Sequence, residues 1–345
     1  MLLPYMKIYF IDRYDEVKTG EYKNHSGYEQ VVKYASNFIR VKGNAFISNI
    51  LFFLLRKSKP VNYIRLNLGK EFFAGIKAMI TGRPVFYLYA DKDAFLLPII
   101  KRKMGLKRIK LYGTLHWPPE TSADFSLYKN DLLSLFNGII VLSHSLMSLS
   151  HKHIELIPHG VDLNYWRNDD PRHYENIYLV IGESNRNHVK QADVLKQISR
   201  LDEHASFLLL MRNAAEHDCY ASVPRMQILP HPVADDELKK LYQKAKAIVL
   251  IQDYCLASNV VLESIAMCVP LLANNVGDIE DYLGASYPLY INENKLDEQL
   301  NTFCSEKDLR NETVSYMQSI RSKFNWQQIT EQTIDFITTS AKIPG

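Results

Sequence analysis

A chain of 345 residues is too long for one ordinary core and predicts two domains, and its 47% hydrophobic and 23% charged fractions are those of a soluble globular protein. The four cysteines (Cys219, Cys255, Cys268, Cys304) form no CxxC pair and no zinc spacing, which argues against a disulfide framework or a zinc site and reads as reduced thiols. The net charge of +3 conceals an asymmetry: residues 1–165 hold 23 Lys and Arg against 13 Asp and Glu, hence +10, and the remainder 18 against 25, hence −7.

In chain order, residues 7–12 (KIYFID) predict a first strand, followed by a loop with Gly27 and a helix from about Tyr28 (YEQVVKYASNFI). Residues 46–55 (FISNILFFLL) are the most apolar run, about half a membrane span long, and read as a core helix ending at Arg56-Lys57-Ser58-Lys59. Further strands are predicted at 61–66 (VNYIRL), 85–89 (VFYLY), 109–112 (IKLY), 138–142 (GIIVL) and 154–157. The second half repeats the grammar. A strand at 177–181 (IYLVI) enters Gly182 and a helix begins near Val189; strands follow at 207–211 (FLLLM) and 226–229, then a helix over 235–246 and a strand at 247–251 (AIVLI). Short apolar strands separated by helices imply parallel sheets, so two sets imply two doubly wound α/β domains with the break near LNYWRNDDP (163–171). Ligands in that architecture sit outside the carboxyl ends of strands, and with two such domains the site is expected in the cleft between them.

Residues 255–284 (CLASNVVLESIAMCVPLLANNVGDIEDYLG) follow the last of those strands and carry the chemistry. They read as a loop, a helix bearing Glu263 in its first turns, a short strand at 271–273, a turn with Gly277 and a second acidic helix start. A helix N-terminus offers unpaired N–H groups and partial positive charge to a phosphate, and a carboxylate about one turn further in can accept from a pair of sugar hydroxyls. Phosphate beside a diol describes a nucleotide or nucleotide-sugar.

The basic clusters Lys101-Arg102-Lys103 and Lys107-Arg108-Ile109-Lys110 suit an anionic membrane surface, at about 1 kcal/mol per charge, or stand on a solvated positive face. No nucleic-acid motif accompanies them. Residues 1–4 are too short for a signal-peptide core, so the expectation is a cytoplasmic protein, peripheral on the cytoplasmic membrane face.

The segments IPHGVDLNYW (157–166), NVVLESIAMCVPLLANNVGDIEDYL (259–283) and FNWQQITEQ (324–332) resemble, in order and separation, the retaining GT-B glycosyltransferases of family 4 type. The resemblance covers residues 110–335 and is looser before them. It implies an α/β GT-B fold, two Rossmann-like domains facing across a cleft. Residues 1–165 would form the acceptor domain, together with a last helix crossing back from about 330 to 345, and 166–329 the nucleotide-sugar domain. It also implies transfer of a sugar, with retention, from a nucleotide-sugar donor (UDP first) to a glycan or lipid-linked acceptor. No cofactor is implied: the nucleotide-sugar is a substrate, and no DxD pair calls for a metal.

By that resemblance Glu263 bonds the donor ribose, while Ser258, Asn259 and Val260 present backbone N–H groups to the diphosphate; Ser258 can equally be just an N-cap. Eight positions before Glu263, where the family carries a second glutamate against the transferred sugar, stands Cys255, a weak acceptor; Asp253 can reach into the same space. Arg186 and Lys190, in GESNRNHVK, are the candidates to neutralise the diphosphate, although Glu183 stands where an arginine is usual. Gly27 would allow close backbone approach to the phosphates, with His25 and Ser26 beside it. His231 follows a strand near the base, and His116 in YGTLHWPPE faces the donor sugar, with Trp117 as an apolar wall for an acceptor. His159 and Asp162 belong to the interdomain motif; His144, His151 and His153 read as surface or packing residues. Two other readings stay open: a non-catalytic subunit of the same fold, signalled by Cys255 and Glu183, and a nucleotide-sugar epimerase, which would need carboxylate acid–base groups in the site.

Overall fold

The computed structural model describes residues 6–13, 25–55, 65–212, 218–229 and 232–341. They divide into two compact units, one of residues 6–13, Tyr28–His159 and 326–341, the other of residues 25–27 and Gly160–Asn325.

The first unit is built on six parallel strands, β1 (Ile8–Ile11), β2 (Phe38–Arg40), β3 (Val85–Tyr87), β4 (Leu111–Leu115), β5 (Gly138–Val141) and β6 (Ile154–Leu156), in the order β2-β1-β3-β4-β5-β6. β1, β3, β4 and β5 are buried along their length, the signature of strands covered on both faces. The last helix, Trp326–Ser340, belongs to this unit: Phe336 packs against Tyr112 and closes over Gly138, and Thr330 Oγ1 donates to the Val31 carbonyl at 2.8 Å.

Two elements differ from their sequence reading. In place of a helix from Tyr28, a single 3-10 turn (Tyr28–Val32) is followed by β2, because Phe38 and Ile39 find a parallel partner in β1. Of the strand expected at 61–66, residues 61–64 lie outside the described residues, and Arg65 and Leu66 open the helix Arg65–Thr81. Asn67, Glu71, Ala74 and Ala78 recur there at helical period on its buried side, and a long periodic run outweighs a short strand signal. Buried Glu71 in turn caps the helix Leu96–Met104, accepting from the N–H groups of Phe95, Leu96 and Leu97.

The second unit has five parallel strands, β7 (Ile177–Ile181), β8 (Ser206–Leu210), β9 (Met226–Ile228), β10 (Ala245–Leu250) and β11 (Leu271–Ala273), in the order β11-β10-β7-β8-β9. The helices His188–Leu201, Asp235–Lys244 and Asn259–Met267 join them. The direction of winding reverses between β7 and β10, and in such sheets the crevice outside the carboxyl ends of those two strands is where ligands bind. All four cysteines are free thiols. Among the described residues no helix is long and apolar enough to cross a membrane.

Candidate functional site

The loops leaving β7 and β10 meet at this reversal. Gly182 turns the chain out of β7 with φ +84, and the following loop brings Arg186 back beneath it, bridged to Gln252 just beyond β10. The Arg186 guanidinium donates to the Ser184 carbonyl (3.0 Å) and the Ile181 carbonyl (3.3 Å). A Cβ on Gly182 would stand 3.2 Å from Nη2, so the glycine leaves the space the guanidinium borders. Burial lowers the Arg186 pKa, with Cys255 and Tyr242 within electrostatic reach, yet an arginine stays charged; among the described residues no carboxylate pairs with it. A half-buried cation held by carbonyl dipoles alone keeps donor capacity for an anion.

After β10 the chain reaches the helix Asn259–Met267 through a tight loop. Ser258 occupies the N-cap position without a side-chain capping bond, so its hydroxyl is not spent on the helix end, and exposed Asn259 and buried Val260 follow it as the first helical residues. The loop is tied to the next turn. Ala257, at φ +40, donates its N–H to Asp278 Oδ2 at 2.6 Å, and the Asp278 N–H donates to the Cys255 carbonyl at 3.1 Å. Gly277 (φ +61) touches this loop so closely that a Cβ would lie 2.2 Å from the Cys255 carbonyl oxygen. Cys255 is buried, its thiol pushed up in pKa by burial and by the Asp278 carboxyl, so it stays protonated. Burial also raises the Asp278 carboxyl, to about 6.

Glu263, one turn into the helix, is buried, and its Oε2 accepts from the Tyr242 hydroxyl at 2.7 Å. Burial pushes the carboxyl up to about 7, against the opposing pull of the Ser26 and Tyr242 hydroxyls. Ser26 faces this carboxylate, although its buried Oγ closes no hydrogen bond of full geometry. Residues 25–27 are held on this unit by the IPHGVDLNYW segment. The His25 ring stacks on Tyr165 with centroids 3.6 Å apart, and its Nδ1 lies 3.1 Å from Asp162 Oδ2. Asp162 Oδ1 accepts from the N–H groups of Asn164 and Tyr165, which sets that turn. Gly27, buried, follows directly.

The other candidates of this unit stand further out. Lys190 is exposed, its Nζ 2.5 Å from Glu293, which raises its pKa. Asp253 is exposed and accepts from Asn187 Nδ2 at 2.8 Å, while Asn187 caps the helix that carries Lys190. His231 lies outside the described residues.

In the first unit His116 follows β4 and sits in an aromatic nest, stacked on Tyr89 (4.3 Å between centroids) and edge-on to Tyr28 (4.8 Å). Its ring nitrogens are buried without a hydrogen bond of full geometry, and its pKa lies well below the ordinary value through burial, with His159 and Lys92 adding to the fall. It is a neutral imidazole. His159 packs between Tyr28 and Trp326. His151 is a packing residue, both nitrogens lying at 3.1 Å from backbone carbonyls. The Trp117 carbonyl accepts from Tyr128 and its ring lies under the Lys92 ammonium.

Sequence reasoning missed several groups here. Asp91 and Asp93, just beyond β3, are buried with carboxyls raised by burial to about 6 and about 7, and Arg13 beyond β1 pairs with Asp93 at 3.0 Å. Tyr242 and Asp278 were missed in the second unit. Asp278 had a signal, an acidic residue directly after the Gly277 turn; Tyr242, inside an amphipathic helix, had none. Among the described residues no group of three His, Cys, Asp or Glu side chains is placed to hold a metal ion.

A six-stranded and a five-stranded parallel sheet, each doubly wound, with the terminal helix returned to the first unit, define the GT-B class of fold. Solved glycosyltransferase structures share it. HepE of Anabaena, in complex with UDP and glucose, matches with a TM-score of 0.65 at 14% identity over 97% of this chain and 100% of its own. A glycosyltransferase from Rickettsia africae matches with 0.62 at 13% identity over 99% of each chain. A variant of S. aureus TarM, in complex with fondaparinux, α-GlcNAc-glycerol and UDP, matches with 0.57 at 16% identity over 79% of this chain, which spans 59% of the TarM chain. At these identities the likeness is one of fold. No family model and no curated protein matches the sequence.

Proposed function

We propose that this chain is a glycosyltransferase that moves a sugar from a nucleotide-sugar donor, a UDP-sugar first, to a lipid-linked or polysaccharide acceptor with retention of configuration. The observation that carries this reading is the grouping at the β7–β10 reversal. An arginine with no carboxylate partner among the described residues stands by the loop that leads to a helix N-terminus, and a buried carboxylate lies one turn into that helix. Cation and amides suit a diphosphate, and the carboxylate suits a ribose diol. UDP in the HepE and TarM complexes supports the choice of nucleotide. In this reading the chain's contribution to transfer is positioning and electrostatic stabilisation of the departing diphosphate, with no metal and no protein nucleophile.

A thermal-shift screen of UDP-, GDP- and ADP-sugars tests it, since a ligand at 100 times its dissociation constant stabilises by about 2.7 kcal/mol. The reading predicts a shift with UDP-sugars that Glu263→Ala abolishes; binding of none of the panel would sink it. Cys255 favours one rival, a non-catalytic subunit, because the buried thiol stands where family members carry a sugar-binding carboxylate. That rival binds nucleotide yet releases no UDP when acceptor glycans are supplied.

A further inference from the structure

The helix Ala45–Leu54 (AFISNILFFL) carries no charge along its ten residues. Its inner side is accounted for: Leu51 and Phe52 pack with Leu68, Phe95 and Leu96 in a small apolar cluster, and Ser48 Oγ donates to the Leu66 carbonyl. Its outer side is in water. Phe46 is 70% exposed, Ile50 43%, Phe53 63% and Leu54 70%, at spacings of i, i+4, i+7 and i+8, which makes one continuous apolar stripe. The adjoining helix Arg65–Thr81 extends the patch. Gly69 lies against Ser48, and Ile76 and Ile80, about two and three turns further along the same side, are exposed. Contiguous apolar surface of this kind marks a docking face.

Charge decides what docks there. Between Glu29 and Glu120 the chain has three acidic residues, Glu71, Asp91 and Asp93, all buried, against seventeen lysines and arginines. Arg102 and Lys103 stand exposed on the helix Leu96–Met104, whose inner side shares the apolar cluster with Leu51. Lys107 and Arg108 follow it, and Arg108 borders Gly82 at the end of the helix that carries Ile80. The surface this segment contributes therefore presents apolar side chains and cations with no exposed carboxylate. Hydrocarbon for the stripe and phosphate for the cations are supplied together by an anionic lipid surface. Ten helical residues span about 15 Å, half the hydrocarbon thickness, so the helix would lie in the interface plane and not cross.

We propose that the Ala45–Leu54 helix is an interfacial anchor, inserting Phe46, Ile50 and Leu54 into an anionic membrane surface while Arg102, Lys103, Lys107 and Arg108 engage lipid phosphates. This inference does not rest on the donor site. The test is co-sedimentation of the full chain with vesicles of phosphatidylcholine alone and of an equimolar mixture of phosphatidylcholine and phosphatidylglycerol. Binding is expected to the mixed vesicles, to fall with salt, and to weaken at least about tenfold on Phe46→Ser with Leu54→Ser or on Lys103→Glu with Arg108→Glu. Melting temperature and UDP-sugar shift should be unchanged in these variants, which separates failure of the anchor from failure of the donor reading. A Phe46→Trp variant should show blue-shifted fluorescence on adding mixed vesicles. No binding to mixed vesicles overturns the proposal, as does binding indifferent to Phe46 and Leu54. So does a dimer in light scattering that the Phe46→Ser, Leu54→Ser variant dissociates, since a second copy would then cover this face.

Discussion

The Tyr242 hydroxyl donates to Glu263 Oε2 at 2.7 Å inside the second unit, where both side chains are buried. The bond fixes the carboxylate proposed to meet a ribose, and it reaches it from a different helix. Tyr242→Phe leaves that carboxylate short of a donor, so a loss of about 1–3 kcal/mol in unfolding free energy is expected, with weaker UDP-sugar binding. Denaturation and titration of the variant check this; a variant as stable and as tight as the parent would show that the bond positions nothing.

Burial gives the chain a pH signature. Glu263 moves from 4.5 to about 7, Asp93 from 3.8 to about 7, and Asp91 and Asp278 from 3.8 to about 6. Each carboxyl holds its proton more tightly folded than unfolded. Its contribution is therefore fully present below the unfolded value and is lost as pH rises to the folded one, a fall between about pH 4 and about pH 7. His116 acts oppositely: kept neutral by burial, it removes stability as pH drops below 6.5. Comparing Glu263→Gln with the parent isolates one carboxyl. The parent should lose on the order of 3 kcal/mol more than the variant between those limits. Parallel stability–pH curves would contradict the assignment.

Arg186→Ala should separate phosphate from nucleoside recognition. Loss of a charge-assisted donor is worth about 1.5–3 kcal/mol, so UDP affinity should fall by roughly tenfold to a hundredfold while uridine affinity holds. Calorimetric titration with both ligands, beside a melting curve, reads this directly. Equal losses for uridine and UDP would assign Arg186 a purely structural part, consistent with its bonds to the Ile181 and Ser184 carbonyls.

Gly277→Ala brings a Cβ to 2.2 Å from the Cys255 carbonyl oxygen and 2.7 Å from its nitrogen, at a left-handed φ of +61. Backbone on both sides cannot yield as a side chain would. A loss of at least about 2 kcal/mol is expected, with weakened donor binding through the displaced loop. An unchanged melting temperature would mean the turn relaxes freely.

Placing a carboxylate at position 255 should not create a working sugar contact. Cys255→Glu places a second buried acid against Asp278, whose carboxyl already has a raised pKa, and like charges confined together disfavour ionisation of both. The expected outcome is a lower melting temperature at neutral pH that recovers on acidification, with no gain in sugar transfer. A stable and more active variant would show that position 255 opens to the donor.

Strand and helix alternation was legible from residue order alone, because a strand covered on both faces must be a short apolar run and a covering helix must repeat near 3.6. That periodicity placed β7 and β11 at their observed ends, the helix expected from about 330 to 345 runs instead over Trp326–Ser340, and the spacing around Glu263 singled out its carboxylate. Partners were not legible. Tyr242 lies 21 residues before Glu263, and Asp278 lies 21 after Ala257; each pair is brought together only by strand order, which no local pattern encodes. The run at 46–55 shows the same limit from the other side. A helix whose polar residues are only the adjacent, uncharged Ser48 and Asn49 has no broad polar face to announce its orientation, so packing against Leu68 and Leu96 decided that Phe46, Ile50 and Leu54 face outward. Sequence determined which segments could be buried; tertiary structure decided which of them are, because burial depends on what else the fold brings alongside.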